Sequence, residues 1–124
     1  MKPDTSHLKL DTSFWQEMTR LATSETITID RPKGKPHPRY PVLIYPLDYG
    51  YVENTSAGDG DGTDVWMGSS NTRTLTGILC TFDTFKRDAE IKLLIGCNEK
   101  DVQVICNFNN QMHTLFIPNP LTTT

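Results

Sequence analysis

Residues Tyr45 to Met67, with the sequence YPLDYGYVENTSAGDGDGTDVWM, are the most informative about the fold. Within this stretch, Tyr49–Glu53 and Asp64–Met67 carry the aromatic and β-branched residues typical of short strands. The segment between them, Ser56–Gly62, is a glycine-rich turn. Upstream of the corner at Pro46, the stretch Val42–Tyr45 is predicted to be another short strand. Closely spaced short strands of this kind favour a small β-rich domain.

Further strands are predicted on both sides of this stretch. Thr26–Ile29 alternates polar and apolar residues, and Leu75–Phe82 is a longer β run. Glu90–Cys97 fits either a strand or a helix, and Gly96 at the end of its apolar run favours a strand. Leu115–Ile117 is predicted to be a last short strand.

Two helices are predicted near the ends of the chain. The first follows the capping residues Asp11–Ser13 and has an apolar stripe that includes Trp15 and Leu21. The second, Glu99–Asn110, is capped by Asn98. Many short strands with two helices predict a single, barrel-like α+β domain over residues 1–124. Residues 1–24 would form an arm and a helix, and residues 98–112 the C-terminal helix.

Composition excludes several classes of protein. With 124 residues and 22% charged residues, the chain is typical of one globular domain. Its net charge of −3 argues against a partner that is nucleic acid. No apolar run approaches the ~20 residues of a membrane span, and the N-terminus has no apolar signal segment. The odd cysteines Cys80, Cys97 and Cys106 have no metal spacing, so we expect buried, reduced thiols and a cytoplasmic location.

Charge is segregated along the chain. Residues 31–39 contain four Lys or Arg residues and no acid, whereas residues 40–72 contain five acids and no Lys or Arg. Ordinary protein surfaces mix the two signs. A basic loop followed by an acidic, glycine-rich segment indicates a site that handles charged ligands.

The acidic segment has the pattern of a divalent-cation site. Asp59, Asp61 and Asp64 lie within six residues and repel one another unless cations or protons intervene. Carboxylate oxygens without nearby His or Cys are typical ligands of Mg²⁺, Mn²⁺ or Ca²⁺. An EF-hand is excluded because its twelfth position would be Ser70 instead of Glu. A second acidic pair follows the long strand, and several divalent ions facing a basic loop predict a small phosphate substrate.

Two motifs carry a family resemblance. Tyr45–Tyr51 followed by Asp59–Val65 resembles the signature of the soluble (family I) inorganic pyrophosphatases. That signature is Tyr-Pro-x-x-Tyr-Gly-Tyr and then Asp-Gly-Asp-Pro-x-Asp-Val. Asp83 and Asp88 resemble the next acidic block of the family, and the likeness covers residues 25–97.

The resemblance implies a fold and an activity. The fold would be α+β, with a small OB-like five-stranded β-barrel and flanking helices. The activity would be the Mg²⁺-dependent hydrolysis of inorganic pyrophosphate to two phosphates by a metal-activated water, with Mn²⁺ as an alternative ion. The expected protein is a cytoplasmic homo-oligomer whose partner is pyrophosphate, with no nucleic-acid or membrane partner.

The resemblance also implies roles for individual residues. Asp61 corresponds to the general base, Tyr49 to a tyrosine that contacts phosphate, and Arg39 to a phosphate-binding lysine. The implied metal ligands are Asp59, Asp64, Asp83 and Asp88, with Asp30 where a glutamate is usual.

The sequence departs from the family mainly on the phosphate side. Glu90 stands where a lysine is expected, and the region of Phe108–Gln111 stands where Tyr-Lys is expected. Other cations are therefore predicted to contact phosphate: Lys33, Lys35, Lys86, Arg87 and Lys92. Because some of the family's phosphate ligands are missing, two alternatives to an inorganic pyrophosphatase stay open. One is a hydrolase of an organic pyrophosphate such as a nucleotide, and the other is a catalytically weakened relative that binds metal or phosphate.

Overall fold

A computed structural model describes residues 12–58 and 60–122. Asp59 and the predicted arm that precedes residue 12 lie outside these residues. The described elements, in chain order, are α1 (Thr12–Ser24), β1 (Ile27–Arg31), β2 (Asp48–Val52), β3 (Thr63–Met67), β4 (Leu75–Asp83), β5 (Asp88–Ile95), α2 (Glu99–Phe108) and β6 (His113–Pro118).

The described strands form one six-stranded sheet in the order β1-β2-β3-β5-β4-β6. All neighbours are antiparallel except β3 and β5, which run parallel. The mixed α+β class is therefore confirmed. The sheet has six strands over the described residues, where the family resemblance implied five, and β1 and β6 are the two edges of an open sheet there. Closure into a barrel is not observed in this part of the chain.

One predicted strand is wrong. Over Val42–Tyr45 the only ladder contact in the described residues is an isolated bridge between Ile44 and Pro36. Pro41 and Pro46 flank this stretch, and proline lacks the N–H that a β ladder needs. The stretch therefore belongs to the long loop between β1 and β2.

The sheet has an apolar cluster on each face. Successive side chains of a strand point to opposite faces, so Val65 and Leu93 pack on the side of α1, whereas Trp66 and Leu94 pack on the side of α2. These four side chains are fully buried. The two helices thus cover opposite faces of the sheet.

The three cysteines are free thiols. Cys97 is buried, whereas Cys80 and Cys106 are half-buried, so the expectation that all three are buried holds only for Cys97. Burial, with a smaller contribution from the Asp101 carboxylate, raises the pKa of Cys97 to about 12. Neither helix in the described part of the chain is long and apolar enough to cross a membrane.

A capping box begins α2 and joins it to the loop after β3. The Asn98 side chain accepts the Asp101 N–H at 2.8 Å, and the Asp101 carboxylate accepts the Asn98 N–H at 3.0 Å. The same carboxylate accepts the N–H and the hydroxyl of Ser69, each at 2.9 Å. Asp101 is buried, and this one carboxylate satisfies donors from two segments.

Replacing Asp101 by Ala is expected to lower the free energy of unfolding by about 1–2 kcal/mol at pH 7, because it removes a cap and the shared acceptor of the Ser69 and Asn98 donors. Burial opposes ionisation of Asp101, but the hydrogen bonds from Ser69 and Asn98 outweigh it and lower its pKa. The stabilisation is therefore present above the ordinary aspartate pKa of about 3.9 and is lost as the pH falls through the lowered value. Urea unfolding at pH 7 and at about pH 3 measures this. Glu99→Ala, at an exposed position of the same turn, is the control, and an Asp101→Ala effect independent of pH contradicts the argument.

Candidate functional site

A cleft of ≈ 900 Å³ opens on the α2 side of the sheet. One end of it is acidic. The described carboxylates that line this end come from the end of β1, the turn before β3, β3, β4 and β5: Asp30, Asp61, Asp64, Asp83, Asp88 and Glu90. Five of the six were predicted from sequence as metal ligands or as the general base. The cleft thus gathers acidic residues from three separate parts of the chain: β1, residues 61–64 and the β4–β5 hairpin.

Strand register explains this convergence. The β4–β5 hairpin places Asp83 opposite Asp88, and the parallel β3–β5 pair places Asp64 beside Lys92. Along β5, Asp88, Glu90 and Lys92 recur at every second position and therefore share one face. The carboxylates are neighbours because these pairings align them.

Lys92 is the charged centre of the acidic end. Its Nζ lies 3.0 Å from Asp64 Oδ2 and 2.8 Å from Glu90 Oε2, and it donates to the Tyr49 hydroxyl at 2.9 Å. The residue is only 5% exposed. Burial alone would lower the pKa of Lys92, but Tyr49, Asp64 and Glu90 outweigh it and raise the pKa above its ordinary value. A buried ammonium ion therefore compensates two of the cleft carboxylates.

Tyr49 connects this charged network to the aromatic cluster under α2. Its ring lies 4.7 Å from that of Trp66 and 5.7 Å from that of Tyr45, centroid to centroid. Burial raises the pKa of Tyr49 despite the opposing charge of Lys92, so the phenol stays protonated. Gly50, the next residue, has no room for a side chain: a Cβ would lie 1.8 Å from the Thr28 carbonyl oxygen. This close approach of β1 and β2 sets the position of Tyr49.

The predicted phosphate ligands divide into two groups. Tyr49, Lys86 and Lys92 line the cleft. The others lie outside its lining, in the loop after β1 or in the β4–β5 turn: Lys33, Lys35, Arg39 and Arg87. Asp59 lies outside the described residues, and its predicted role as a metal ligand stays a prediction.

Sequence reasoning did not assign two charged residues that line the cleft. Glu90 was noted only as a departure from the family, although its place midway between Asp88 and Lys92 on one strand face was a usable signal. Arg31 was counted among the basic loop residues and not as a ligand. It ends β1 beside Asp30, with 3.7 Å between its Nη1 and Asp30 Oδ2.

The donor set fits a hard divalent cation in its chemistry. The donors near Lys92 include carboxylate oxygens, which suit Mg²⁺ or Mn²⁺. Over residues 12–58 and 60–122, however, no three acidic, His or Cys side chains are placed to hold one ion. The described side chains thus have the chemical character of Mg²⁺ ligands, but no three of them are close enough together to coordinate one ion.

Comparisons with known proteins add little. No family model matches the chain, and no curated protein matches it. Among solved structures, the chain is similar to an inorganic phosphatase from Anaplasma phagocytophilum, with 15% identity, a TM-score of 0.47, and coverage of 74% of this chain and 81% of that one. A likeness this distant shows nothing about function.

Proposed function

We propose that this chain hydrolyses inorganic pyrophosphate to two phosphates in a reaction that depends on Mg²⁺. One observation carries the proposal: acidic residues that the family resemblance assigns to this chemistry, and that lie far apart in sequence, line a single cleft. They are Asp30, Asp61, Asp64, Asp83 and Asp88. Chance acidic residues on a surface have no reason to converge in this way.

The metal would be held by Asp64, Asp83 and Asp88, with Asp30 and Asp59 as further ligands. When bound, Mg²⁺ lowers the pKa of a coordinated water and neutralises charge on the phosphoryl oxygens. Mn²⁺ suits the same oxygen donors.

The chain's own residues then act on the water and on the substrate. Asp61, in the glycine-rich turn that lines the cleft, accepts a proton from the water as the water oxygen bonds to phosphorus. The bridging P–O bond breaks and the second phosphate leaves. Arg31 and Lys86, which line the same cleft, supply positive charge to that leaving group. Lys92, which also donates to the Tyr49 hydroxyl, holds Asp64 in position through its hydrogen bond.

A second candidate function is binding without turnover. The ammonium group of Lys92 already balances the negative charges of Asp64 and Glu90, so these carboxylates attract a metal ion less strongly. On this view the chain binds a metal–phosphate complex as a sensor and is catalytically weakened.

Phosphate release from pyrophosphate distinguishes the two. We expect release in Mg²⁺, weaker or similar release in Mn²⁺, and loss of release when a chelator removes the ion, because the anhydride then keeps its full negative charge beside an acidic cleft. Calorimetric titration of Mg²⁺ in parallel shows whether the ion binds. A folded protein that binds Mg²⁺ and releases no phosphate contradicts the hydrolase proposal and supports the sensor. Release that is unaffected by chelation contradicts both.

A further inference from the structure

Part of the cleft lining is aromatic. Four rings lie there and are called the aromatic wall below: His37, Tyr40, Tyr45 and Phe108. The His37 ring is 5.2 Å from that of Tyr40 and stacks on that of Tyr45 at 6.0 Å with an interplanar angle of 10°. Tyr45 also packs on Phe108 at 4.8 Å. All four rings line the same cleft as the acidic residues.

The wall is partly open to a ligand. Tyr45 is buried, whereas His37 and Phe108 are half-buried and Tyr40 is 54% exposed. Leu43, itself exposed, extends this apolar surface. Exposed rings continuous with a polar site are typical of a place where a planar ligand stacks.

His37 holds the wall in a defined arrangement. Its Nδ1 accepts two backbone N–H groups, from Arg39 at 3.0 Å and from Tyr40 at 3.2 Å. Burial, and then the positive charges of Arg31, Arg39 and Lys86, lower the pKa of His37. The imidazole is therefore neutral at pH 7, and its Nδ1 stabilises the conformation of residues 37–40 through these two hydrogen bonds.

The size of the cleft exceeds what inorganic pyrophosphate needs. Its volume of ≈ 900 Å³ lies in the range of about 300–1,000 Å³ found for pockets that bury drug-sized ligands. Two joined phosphates beside the carboxylates would fill only part of this volume and would leave the exposed face of Tyr40 uncovered. A substrate that fills the cleft would carry phosphates beside the carboxylates and a planar group beside the aromatic wall.

We propose that the cleft also takes nucleoside diphosphates and triphosphates, with the base stacked on Tyr40 and His37 and the phosphates at the acidic end. This inference rests on the proposed function, because the bond broken is again a phosphoric anhydride. Water adds to the terminal phosphorus, its proton passes to Asp61, and the bridging P–O bond breaks. The products are phosphate and a nucleotide that is one phosphate shorter.

Tyr40→Ala tests this assignment with ADP and pyrophosphate as the two probes, both in Mg²⁺. Loss of one base–aromatic stack is expected to reduce the ratio of kcat/KM for ADP to that for pyrophosphate about tenfold, and to weaken ADP binding measured by calorimetry by a similar factor. Tyr40→Phe keeps the ring and restores both values. Val42→Ala, at an exposed position of the same loop that does not line the cleft, leaves them unchanged.

The outcomes separate this inference from the proposed function. If pyrophosphate is hydrolysed and ADP is neither bound nor cleaved, the nucleotide assignment is overturned and the pyrophosphatase proposal stands. If Tyr40→Ala changes both substrates equally, the base subsite is also overturned. If pyrophosphate is not hydrolysed but ADP binds in a Tyr40-dependent manner, the aromatic wall is supported as a base subsite and the hydrolase proposal fails.

Discussion

Asp61→Asn is expected to lower kcat for pyrophosphate by about 10²–10⁴-fold, with a much smaller change in KM. The amide has the shape of the carboxylate but cannot accept the proton of the attacking water, and a general base of this kind contributes about 10²–10⁴-fold to the rate. The turn should survive the change, because its bond from the Ala57 N–H to the Asp61 carbonyl oxygen, 2.6 Å long, uses backbone atoms only. Steady-state phosphate release in Mg²⁺ measures both constants.

Asp48→Asn is the matched control for this experiment. Asp48 belongs to the same acidic segment, yet it lies outside the cleft lining and its carboxylate accepts the Lys33 N–H at 2.8 Å. An amide oxygen can accept the same bond. If both variants lose activity equally, net charge and not proton transfer explains the loss. If Asp61→Asn retains wild-type kcat, Asp61 is not the base.

Lys92→Met is expected to lower the free energy of unfolding by about 3 kcal/mol in the absence of divalent ions. Removing one partner of a buried ion pair costs about 3–5 kcal/mol, since it leaves the other charge uncompensated. The lower value of this range applies here because the side chains of Asp64 and Glu90 are 25% and 32% exposed. Water therefore screens part of the repulsion between the two carboxylates. Urea unfolding with a chelator present measures the loss.

Two further variants identify the cause. The double variant Lys92→Met/Glu90→Gln also removes one of the two carboxylates left without their cation, so it should recover part of the lost free energy of unfolding. Lys86→Met removes an exposed ammonium ion from the same cleft and should change stability by less than about 0.5 kcal/mol. Mg²⁺ should stabilise Lys92→Met more than wild type, because the ion replaces the lost positive charge. Equal stability of wild type and Lys92→Met contradicts the buried-cation argument.

Most of the local structure could be predicted from sequence. The alternation in β1, the apolar run of β4 and the Asn98 cap of α2 are local signals, set by side-chain direction and by the backbone donors of a helix end. Val42–Tyr45 shows where such signals fail. Its apolar residues favour a strand, yet the flanking prolines leave Ile44 as the sole bridge there in the described residues.

The candidate site was predictable in most of its acidic residues and only in part in its cations, since Lys86 and Lys92 line the cleft and the other predicted cations do not. Clustered carboxylates repel one another unless a positive charge lies nearby, and such a cluster is visible in the sequence without knowledge of the fold. Which cation approaches them depends on pairings between distant strands. Arg39 lies in the expected basic loop but outside the cleft lining, whereas Lys92 reaches Asp64 because β5 runs parallel to β3 at the matching register.

The α+β class, the acidic motifs and the resemblance that gives them a role follow from neighbouring residues along the chain, so they are visible without a structure. The roles of Lys92 as the buried counter-ion and of His37, Tyr40 and Phe108 as lining of the same cleft follow from the folded chain. Both results come from contacts between segments far apart in sequence. Burial of Lys92 then strengthens its interactions with Asp64 and Glu90, since water screens them less than it would at the surface.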